Sequence, residues 1–232
     1  MKNIVIIGAG KGIGLSVVGQ LKDENALFAV TRTPSEDLEL WGVPTTIFNT
    51  VSDDWTELTH FPDEIHGLVY CPGSIQLKPF NRLSIEDFLS DFHQNVLGAV
   101  KAIQHLLPKL RRGKASVVLF SSVASKLGMP YHASIASSKS ALEGLAKSLA
   151  AEYAAIPIRF NVIAPSLSDT NLAQSLLNSP EKREASAKRH PLQRIGSPED
   201  SASLVKFLLS ENSSWISGQI IGVDGGLSNL KI

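Results

Sequence analysis

Near its N-terminus the chain reads Ile4-Val5-Ile6-Ile7-Gly8-Ala9-Gly10-Lys11-Gly12-Ile13-Gly14, and this stretch decides the fold. A short β-branched run passes directly into a glycine-rich turn, and an apolar-periodic stretch over Ile13–Lys22 follows. Gly8 permits a tight turn off the strand, Gly12 lets backbone approach a pyrophosphate, and Gly14 allows the helix to pack closely. Free N–H groups at the helix N-terminus favour a phosphate there. The stretch predicts a dinucleotide-binding strand–turn–helix unit.

Short apolar runs and longer helical stretches alternate along the rest of the chain. The predicted strands are Ile4–Ile7, Leu27–Val30, Thr46–Phe48, Gly67–Cys71, Ser116–Phe120, Ile158–Ile163 and Gln219–Val223. The predicted helices are Ile13–Lys22, Ile85–Arg111, Ser137–Ala155 and Pro198–Leu209. Strands that are apolar on both faces suit a parallel sheet covered by helices on each side. The alternation predicts an α/β fold, a Rossmann-type doubly wound parallel sheet of about seven strands in a single domain over residues 1–232.

One polar and mixed stretch, Asn171–Ile195, does not fit this alternation. Long irregular connections in compact domains are often functional. We therefore expect residues 171–195 to form a substrate lid, with a helical surface insertion as the alternative.

Length and composition narrow the class of protein. The 232 residues are 43% hydrophobic and 19% charged, which is ordinary for a globular domain. Basic and acidic residues both number 22, so no charge excess points to nucleic acid or to disorder. The apolar run Ile4–Ile7 is too short for a secretory or membrane-spanning segment. Because Cys71 is the single cysteine, we expect a cytoplasmic chain without a membrane partner.

The end of the predicted second strand bears on which dinucleotide binds. NAD sites of this fold place an acidic side chain there to hold the ribose 2′-hydroxyl. This chain has Thr31-Arg32-Thr33 instead, and a cation can pair with a 2′-phosphate. Lys11 supplies a second cation near the same point. The pair predicts NADP(H), with solvated surface charges as the alternative reading.

Further motifs stand at strand ends and helix starts. They are the Gly8-x-x-x-Gly12-x-Gly14 spacing, Gly73 after the fourth strand, Asn95-Val96-Leu97-Gly98, Ser121-Ser122 after the fifth strand, Ile158–Pro165, the run from Pro191-Leu192 to Asp200, and Ser217–Gly226. Together they resemble the short-chain dehydrogenase/reductase family over nearly the whole chain. The chain departs from the family pattern at Ile7, usually Thr, at Thr50, usually Asp, and at Ser166, usually Gly.

The resemblance implies a small-molecule substrate, NADP(H) as cofactor and no metal ion. It implies a homo-dimer or homo-tetramer through the helices Ile85–Arg111 and Ser137–Ala155. It places catalytic groups at Asn95, Ser122 and Lys139. The implied cofactor contacts are Gly8, Gly10, Lys11, Gly12, Ile13, Gly14, Arg32, Thr50, Gly73, Lys139, Pro165 and Thr170.

The resemblance also reveals a missing group. The family's proton donor is a Tyr four residues before the Lys, one helical turn away on the same face, and here that residue is Ile135. Ser122 lies thirteen residues before Ile135, as the family pattern requires, so the register is kept. Isoleucine cannot donate a proton, and general acid–base catalysis contributes about 10²–10⁴-fold.

Three explanations of Ile135 stay open. Another side chain can substitute, either Tyr131 or His132, for which loop packing and surface exposure are the plainer readings. The chemistry can differ, as in reduction of an activated C=C bond or proton supply from water through Ser122 and Lys139. Finally, the protein can bind NADP(H) without turnover, as a sensor or an inactive partner subunit.

The retained catalytic positions favour an enzyme over a binding protein. Asn95, Ser122 and Lys139 are all present, although Lys139 can serve solely to hold ribose. We therefore expect an oxidoreductase that transfers hydride to or from a carbonyl, an alcohol or an activated C=C bond, with atypical or impaired proton donation. The alternative is a catalytically inactive NADP(H)-binding protein.

Overall fold

A seven-stranded parallel sheet forms the centre of the molecule. The computed structural model describes residues Met1–Lys231. The strands are β1 (Asn3–Ile7), β2 (Ala26–Thr31), β3 (Thr45–Ile47), β4 (Gly67–Tyr70), β5 (Ser116–Phe120), β6 (Arg159–Pro165) and β7 (Ile220–Val223). Their order is β3-β2-β1-β4-β5-β6-β7. The predicted fold class is confirmed, and the order reverses between β1 and β4, where such sheets bind ligands.

Helices cover both faces of this sheet. They are α1 (Gly12–Leu21), α2 (Glu36–Leu40), α3 (Ile85–Phe92), α4 (Gly98–Arg112), α5 (Ala133–Glu152), α6 (Pro180–Lys188) and α7 (Pro198–Leu209). A hydrophobic core lies on each face of the sheet, and alternate residues of β1 contribute to one core or the other. Val5 and Ile7 pack with α4 and α5, and Ile4 and Ile6 pack with α1 and α7. No helix within residues 1–231 combines the length and the apolar character needed to cross a bilayer.

The predicted helix Ile85–Arg111 is interrupted. After α3 the chain makes a π-helical turn over His93–Leu97 before α4 begins. The Tyr70 hydroxyl donates to the carbonyl of Gln94 at 2.8 Å, and a Cβ on Gly98 would overlap that hydroxyl. Such wide turns are frequent at functional sites. This π-helical turn contains Asn95, which is fully buried.

Other boundaries also differ from the sequence prediction. The helix expected at Ser137–Ala155 begins at Ala133, with His132 as N-cap, and ends at Glu152. Its C-terminus is three residues short of the prediction, with Tyr153 as the C-cap. The short helix α2 was not predicted, since five residues carry too little periodicity.

The segment predicted as an irregular lid is largely helical. A 3₁₀ helix spans Asn171–Leu176, and α6 follows with Ser179 as N-cap and Pro180 in its first turn. Only Ser186 of α6 is buried. Because α6 is polar around most of its circumference, apolar periodicity did not reveal it. This helical form agrees with the alternative reading of an insertion, and the role of residues 171–195 as a substrate lid stays a prediction.

Candidate active site

The glycine-rich loop has the backbone shape that the sequence predicted. Gly8 and Gly12 have φ values of 81° and 55°, which favour glycine. The Gly8 amide donates to the Val30 carbonyl at 2.8 Å, and a Cβ on Gly14 would overlap the Gly8 carbonyl oxygen. Lys11, the N-cap of α1, offers no side-chain capping bond. The first N–H groups of α1 therefore stay available for a ligand.

A cavity of about 400 Å³ lies over this loop. Its lining comes from the ends of β1, β2 and β4 with the segments after them, from the segment after β3, from the π-helical turn and from the 3₁₀ helix Asn171–Leu176. The residues are Ile7, Gly8, Gly10, Lys11, Val30, Thr31, Arg32, Thr33, Phe48, Asn49, Thr50, Cys71, Pro72, Gly73, Gln94, Asn171 and Leu172. Among the residues that the structure describes, Lys11 and Arg32 are the only charged side chains in this lining. We call it the nucleotide cavity. Glycine backbone, free helical N–H groups and two cations fit a phosphate-rich dinucleotide.

A second cavity, of about 310 Å³, adjoins the first. Apolar side chains form most of its surface. The full lining, polar residues included, is Ile13, Ser74, Ile75, Leu77, Ser122, Val123, Met129, His132, Ile135, Lys139, Pro165, Ser166, Leu167, Ser168, Thr170, Leu172, Ala173, Leu176, Ser186 and Arg189. We call it the substrate cavity. Leu172 lines both cavities. Gly12 lies between Lys11 of the first lining and Ile13 of the second, and a Cβ on Gly12 would lie 3.3 Å from the Thr170 methyl.

Lys139 is a buried cation at the wall of the substrate cavity. It is 6% exposed, and its Nζ donates to the Phe120 carbonyl at 2.7 Å. Burial lowers the pKa of Lys139 to about 8, while Cys71 and Asp91 oppose that shift. Burial also raises the pKa of the Cys71 thiol to about 12. A fraction of Lys139 is therefore neutral near physiological pH.

Ser122 and Ile135 face the same cavity as Lys139. The Ser122 Oγ accepts from the Ala124 amide at 3.2 Å, so the residue also caps the short 3₁₀ helix Val123–Ser125. Ile135 is 6% exposed. The neighbouring Ser121 instead donates to the buried Glu143 at 2.6 Å and does not line the cavity. Of the paired serines, only Ser122 reaches the site.

Asn95 belongs to a buried polar cluster next to Lys139. Its Nδ2 donates to the Asp91 carbonyl at 2.7 Å and to Ser74 Oγ at 3.2 Å. Its Oδ1 has no hydrogen-bond partner within residues 1–231. A Cβ on Gly73 would lie 3.6 Å from that oxygen and 3.7 Å from Lys139 Nζ. Asn95 and Lys139 therefore approach the same point beside Gly73.

The structure does not bring Tyr131 into the site. Tyr131 is 59% exposed, has φ of 68°, and is absent from the lining of the substrate cavity. This left-handed residue lies just before α5 begins. His132 does line the cavity, and its Nδ1 lies 2.7 Å from the Pro130 carbonyl. Of the two suggested substitutes for Ile135, only His132 is placed to reach a substrate.

Three groups at the site were missed by sequence reasoning. Ser74 lines the substrate cavity, and Asp91 is buried directly behind it. Asp91 lies four residues before Asn95, on the same helical face, and this spacing was an available signal. Arg189 lines the cavity at the end of α6. Nothing in the local pattern distinguishes it from the other charged residues of that polar helix.

Comparisons with known proteins agree with this geometry. A family model described as enoyl-(acyl carrier protein) reductase matches residues 46–228. The 3-oxoacyl-[acyl-carrier-protein] reductase FabG of Thermotoga maritima is 31% identical over 97% of this chain and 97% of that protein. A tropinone reductase homolog of Arabidopsis thaliana is 31% identical over 98% of this chain and 92% of its own length.

Solved structures give the same result. A short-chain type dehydrogenase/reductase from Mycobacterium ulcerans is 27% identical, with a TM-score of 0.90 over 98% of this chain and 90% of that one. Aldohexose dehydrogenase from Thermoplasma acidophilum is 27% identical, with a TM-score of 0.91 over 99% and 95% of the two chains. The chain therefore belongs to the short-chain dehydrogenase/reductase family.

Proposed function

We propose that the protein is an NADP(H)-dependent oxidoreductase that moves a hydride to or from a carbonyl, an alcohol or an activated C=C bond. The observation that carries this proposal is the junction of two cavities. The nucleotide cavity holds the phosphate-type loop, the substrate cavity holds Ser122 and Lys139, and Leu172 borders both. A dinucleotide bound in the first cavity can therefore reach a substrate in the second.

Several contacts support the choice of cofactor. The loop over Gly8–Gly14 and the start of α1 would hold the diphosphate through backbone amides. Lys11 and Arg32 would pair with a 2′-phosphate, since the nucleotide cavity has cations and, within residues 1–231, no carboxylate to hold a 2′-hydroxyl. Pro165 and Thr170 would border the nicotinamide. When bound, the dinucleotide supplies or accepts the hydride.

The remaining predicted contacts complete the cofactor site. Thr50 and Gly73 line the nucleotide cavity and would contact the adenosine half. Ile13 lines the substrate cavity next to the loop. Lys139 would hydrogen-bond the nicotinamide ribose, because its ammonium is buried at the boundary of the two cavities.

A ketone is the substrate class to test first. Two relatives are named as a 3-oxoacyl-[acyl-carrier-protein] reductase and a tropinone reductase homolog. The mainly apolar lining of the substrate cavity suits an apolar group next to the reacting carbon. Ser122 would orient the substrate oxygen. Proton donation by a phenol is lost, because we assign Ile135 to the position of the family's tyrosine.

The segment 171–195 is proposed to cover the substrate. Leu172 and Leu176 from its 3₁₀ helix and Ser186 and Arg189 from the α6 region line the substrate cavity. Closure of this segment over a ligand would exclude water from the reacting atoms. We also propose one domain over residues 1–232, and self-association through α4 and α5 stays a prediction.

The test is NADPH oxidation against a panel of ketones and enoyl compounds. We expect turnover that falls about 10²-fold or more in Lys139→Ala and Ser122→Ala. Lys147→Ala, an exposed lysine on the same helix, is the matched control and should keep its turnover. Tight NADPH binding without turnover of any compound would contradict the proposed oxidoreductase and favour the inactive binding protein. Ile135 is the one observation that supports that alternative.

A further inference from the structure

Asp91 is a buried carboxyl group that the chemistry described so far does not use. It lies near the end of α3, is 0% exposed and forms no ion pair with any residue in the part of the chain described. Burying a carboxylate is costly unless hydrogen bonds compensate. Ser74 donates to Oδ1 at 2.5 Å and Ser134 donates to Oδ2 at 2.6 Å. Each carboxylate oxygen therefore accepts one serine hydroxyl.

Ser74 connects this carboxylate to the substrate cavity. It lines that cavity together with Ser122 and Lys139. Its proton is directed at Asp91, and its oxygen accepts from Asn95 Nδ2 at 3.2 Å. A hydroxyl oxygen has a second acceptor site. Ser74 can therefore accept a proton from the cavity as it passes its own proton to Asp91.

A second buried carboxylate shows what is special about this arrangement. Glu143 is 8% exposed and accepts hydroxyl bonds from Ser121 at 2.6 Å and Ser125 at 2.5 Å. None of these three residues lines the substrate cavity. Burial against two serines is thus not sufficient for a connection to the substrate, whereas Asp91 has that connection through Ser74.

We propose that Asp91 is the final proton acceptor for the oxidation of an alcohol in the substrate cavity, with Ser74 as the group that touches the alcohol. This inference rests on the proposed hydride transfer. The alcohol O–H bond breaks as its proton passes to Ser74 Oγ, while the Ser74 proton passes to Asp91 Oδ1. The electron pair left on the alcohol oxygen forms the carbonyl bond, and an oxidised nicotinamide dinucleotide, when bound, would accept the hydride that leaves carbon.

Reduction of a carbonyl follows the same path in reverse. The protonated Asp91 gives its proton to Ser74, and Ser74 gives its own proton to the carbonyl oxygen as carbon takes the hydride. Between turnovers, water in the open substrate cavity exchanges protons with Asp91 through Ser74. The pair would take over the proton transfer that Ile135 cannot perform.

The pKa of Lys139 provides a second readout of Asp91. Burial lowers the pKa of Lys139, and electrostatic interactions with Cys71 and Asp91 act in the opposite direction. The Cys71 thiol stays neutral because burial raises its pKa to about 12. Replacing Asp91 by a neutral residue is therefore expected to lower the pKa of Lys139 further.

The experiment compares Asp91→Asn, Ser74→Ala and the double variant with wild type. Asparagine keeps the shape of Asp91 and cannot carry the proton. We expect each single variant to lower kcat about 10²-fold with little change in NADPH affinity. The double variant should be no slower than either single one, because both remove the same relay. Ser74→Thr keeps the hydroxyl and should restore most of kcat, and Glu143→Gln is the control for losing a buried carboxylate.

A second measurement does not depend on turnover. The pKa of Lys139, followed by NMR of its side chain in the folded protein, should be lower in Asp91→Asn than in wild type and unchanged in Glu143→Gln. An active wild type whose kcat is unaffected by Asp91→Asn or Ser74→Ala would overturn the relay alone. An unchanged Lys139 pKa in Asp91→Asn would also overturn it. A wild type without any turnover would refute the proposed hydride transfer itself.

Discussion

The nucleotide cavity and the substrate cavity adjoin in space but differ in how they are built. The nucleotide cavity depends on backbone: left-handed glycines, free helical N–H groups and a close contact between Gly14 and Gly8. The substrate cavity depends on the identity of side chains, and there Ile135 stands beside Lys139 while Ser74 and Asp91 form a polar pair. Backbone geometry tolerates few substitutions, whereas a side-chain reaction can be performed by another group. This difference is the basis of our proposal that the cofactor site is retained and the proton transfer altered.

The strongest test of the nucleotide cavity, which depends on backbone geometry, is Gly14→Val. The new Cβ would overlap the Gly8 carbonyl oxygen, which is backbone and cannot move aside without changing the loop. We expect loss of NADPH binding and a free energy of unfolding lower by about 3 kcal/mol. Denaturant titration and isothermal calorimetry measure the two effects.

Gly144→Ala is the matched control, because its added Cβ meets no atom of residues 1–231 within 4 Å beyond its chain neighbours and its own helix backbone. This variant should bind NADPH like wild type and gain about 0.5–1 kcal/mol in helix stability. Equal NADPH affinity in Gly14→Val and wild type would show that the loop does not hold the phosphates.

Ile135→Tyr tests the substrate cavity, where we propose that proton transfer is altered. Ile135 lines the substrate cavity one helical turn before Lys139, so a phenol there would meet the substrate near the lysine. We expect ketone reduction to rise by about 10²-fold, the low end of the contribution of general acid–base catalysis. Ile135→Phe adds similar bulk without the hydroxyl and should give no rise. Equal rates in the two variants would contradict the assignment of Ile135 to the donor position.

Comparing Lys139→Met with wild type tests whether burial lowers the pKa of Lys139. The folded-state pKa of about 8 lies below the ordinary value of 10.5, so folding is penalised while the lysine is charged. This penalty is full below pH 8 and disappears as the pH rises from 8 towards 10.5. From pH 7 to pH 10, wild type should gain about 2 kcal/mol in unfolding free energy relative to Lys139→Met.

The control for this shift is Lys147→Met, an exposed lysine on the same helix. The difference in unfolding free energy between Lys147→Met and wild type should not vary with pH over the same range. A constant difference between wild type and Lys139→Met would mean that Lys139 is not held in a desolvated site. Denaturant titrations at the two pH values measure all three proteins.

Arg32→Ala is expected to have the smallest effect. Arg32 is exposed at the edge of the nucleotide cavity, so water screens its pairing with a 2′-phosphate. NADPH affinity should fall by about tenfold, while NADH affinity stays the same. Lys101→Ala, an exposed lysine on α4, serves as the control. Parallel losses for both dinucleotides would remove Arg32 from the site.

The parts of the structure that depend on local pattern could be predicted from the sequence. The β-branched runs and the spacing Gly8-x-x-x-Gly12-x-Gly14 carry the fold, and both cavities contain residues that the resemblance named. The π-helical turn at Asn95 could not be predicted, because it depends on Tyr70 from another strand packing on Gly98. Periodicity records neighbours along the chain and not across it.

The polar cluster behind the substrate cavity escaped prediction for a similar reason. Ser74, Asp91 and Ser134 come from three separate segments and meet only in the folded protein. The exposed position of Tyr131 depends on its left-handed backbone and on the start of α5 at Ala133, two residues later. Neither feature has a signature in the surrounding residues.

The most direct test of the account is to follow deuterium from NADPH labelled at the transferable C4 position into the product of a ketone incubation, using mass spectrometry. Hydride transfer across the junction of the two cavities predicts deuterium on the carbinol carbon of the product, and much less of it with Lys139→Ala. Saturating NADPH binding with no deuterium in any product from the ketone and enoyl panel would contradict the account.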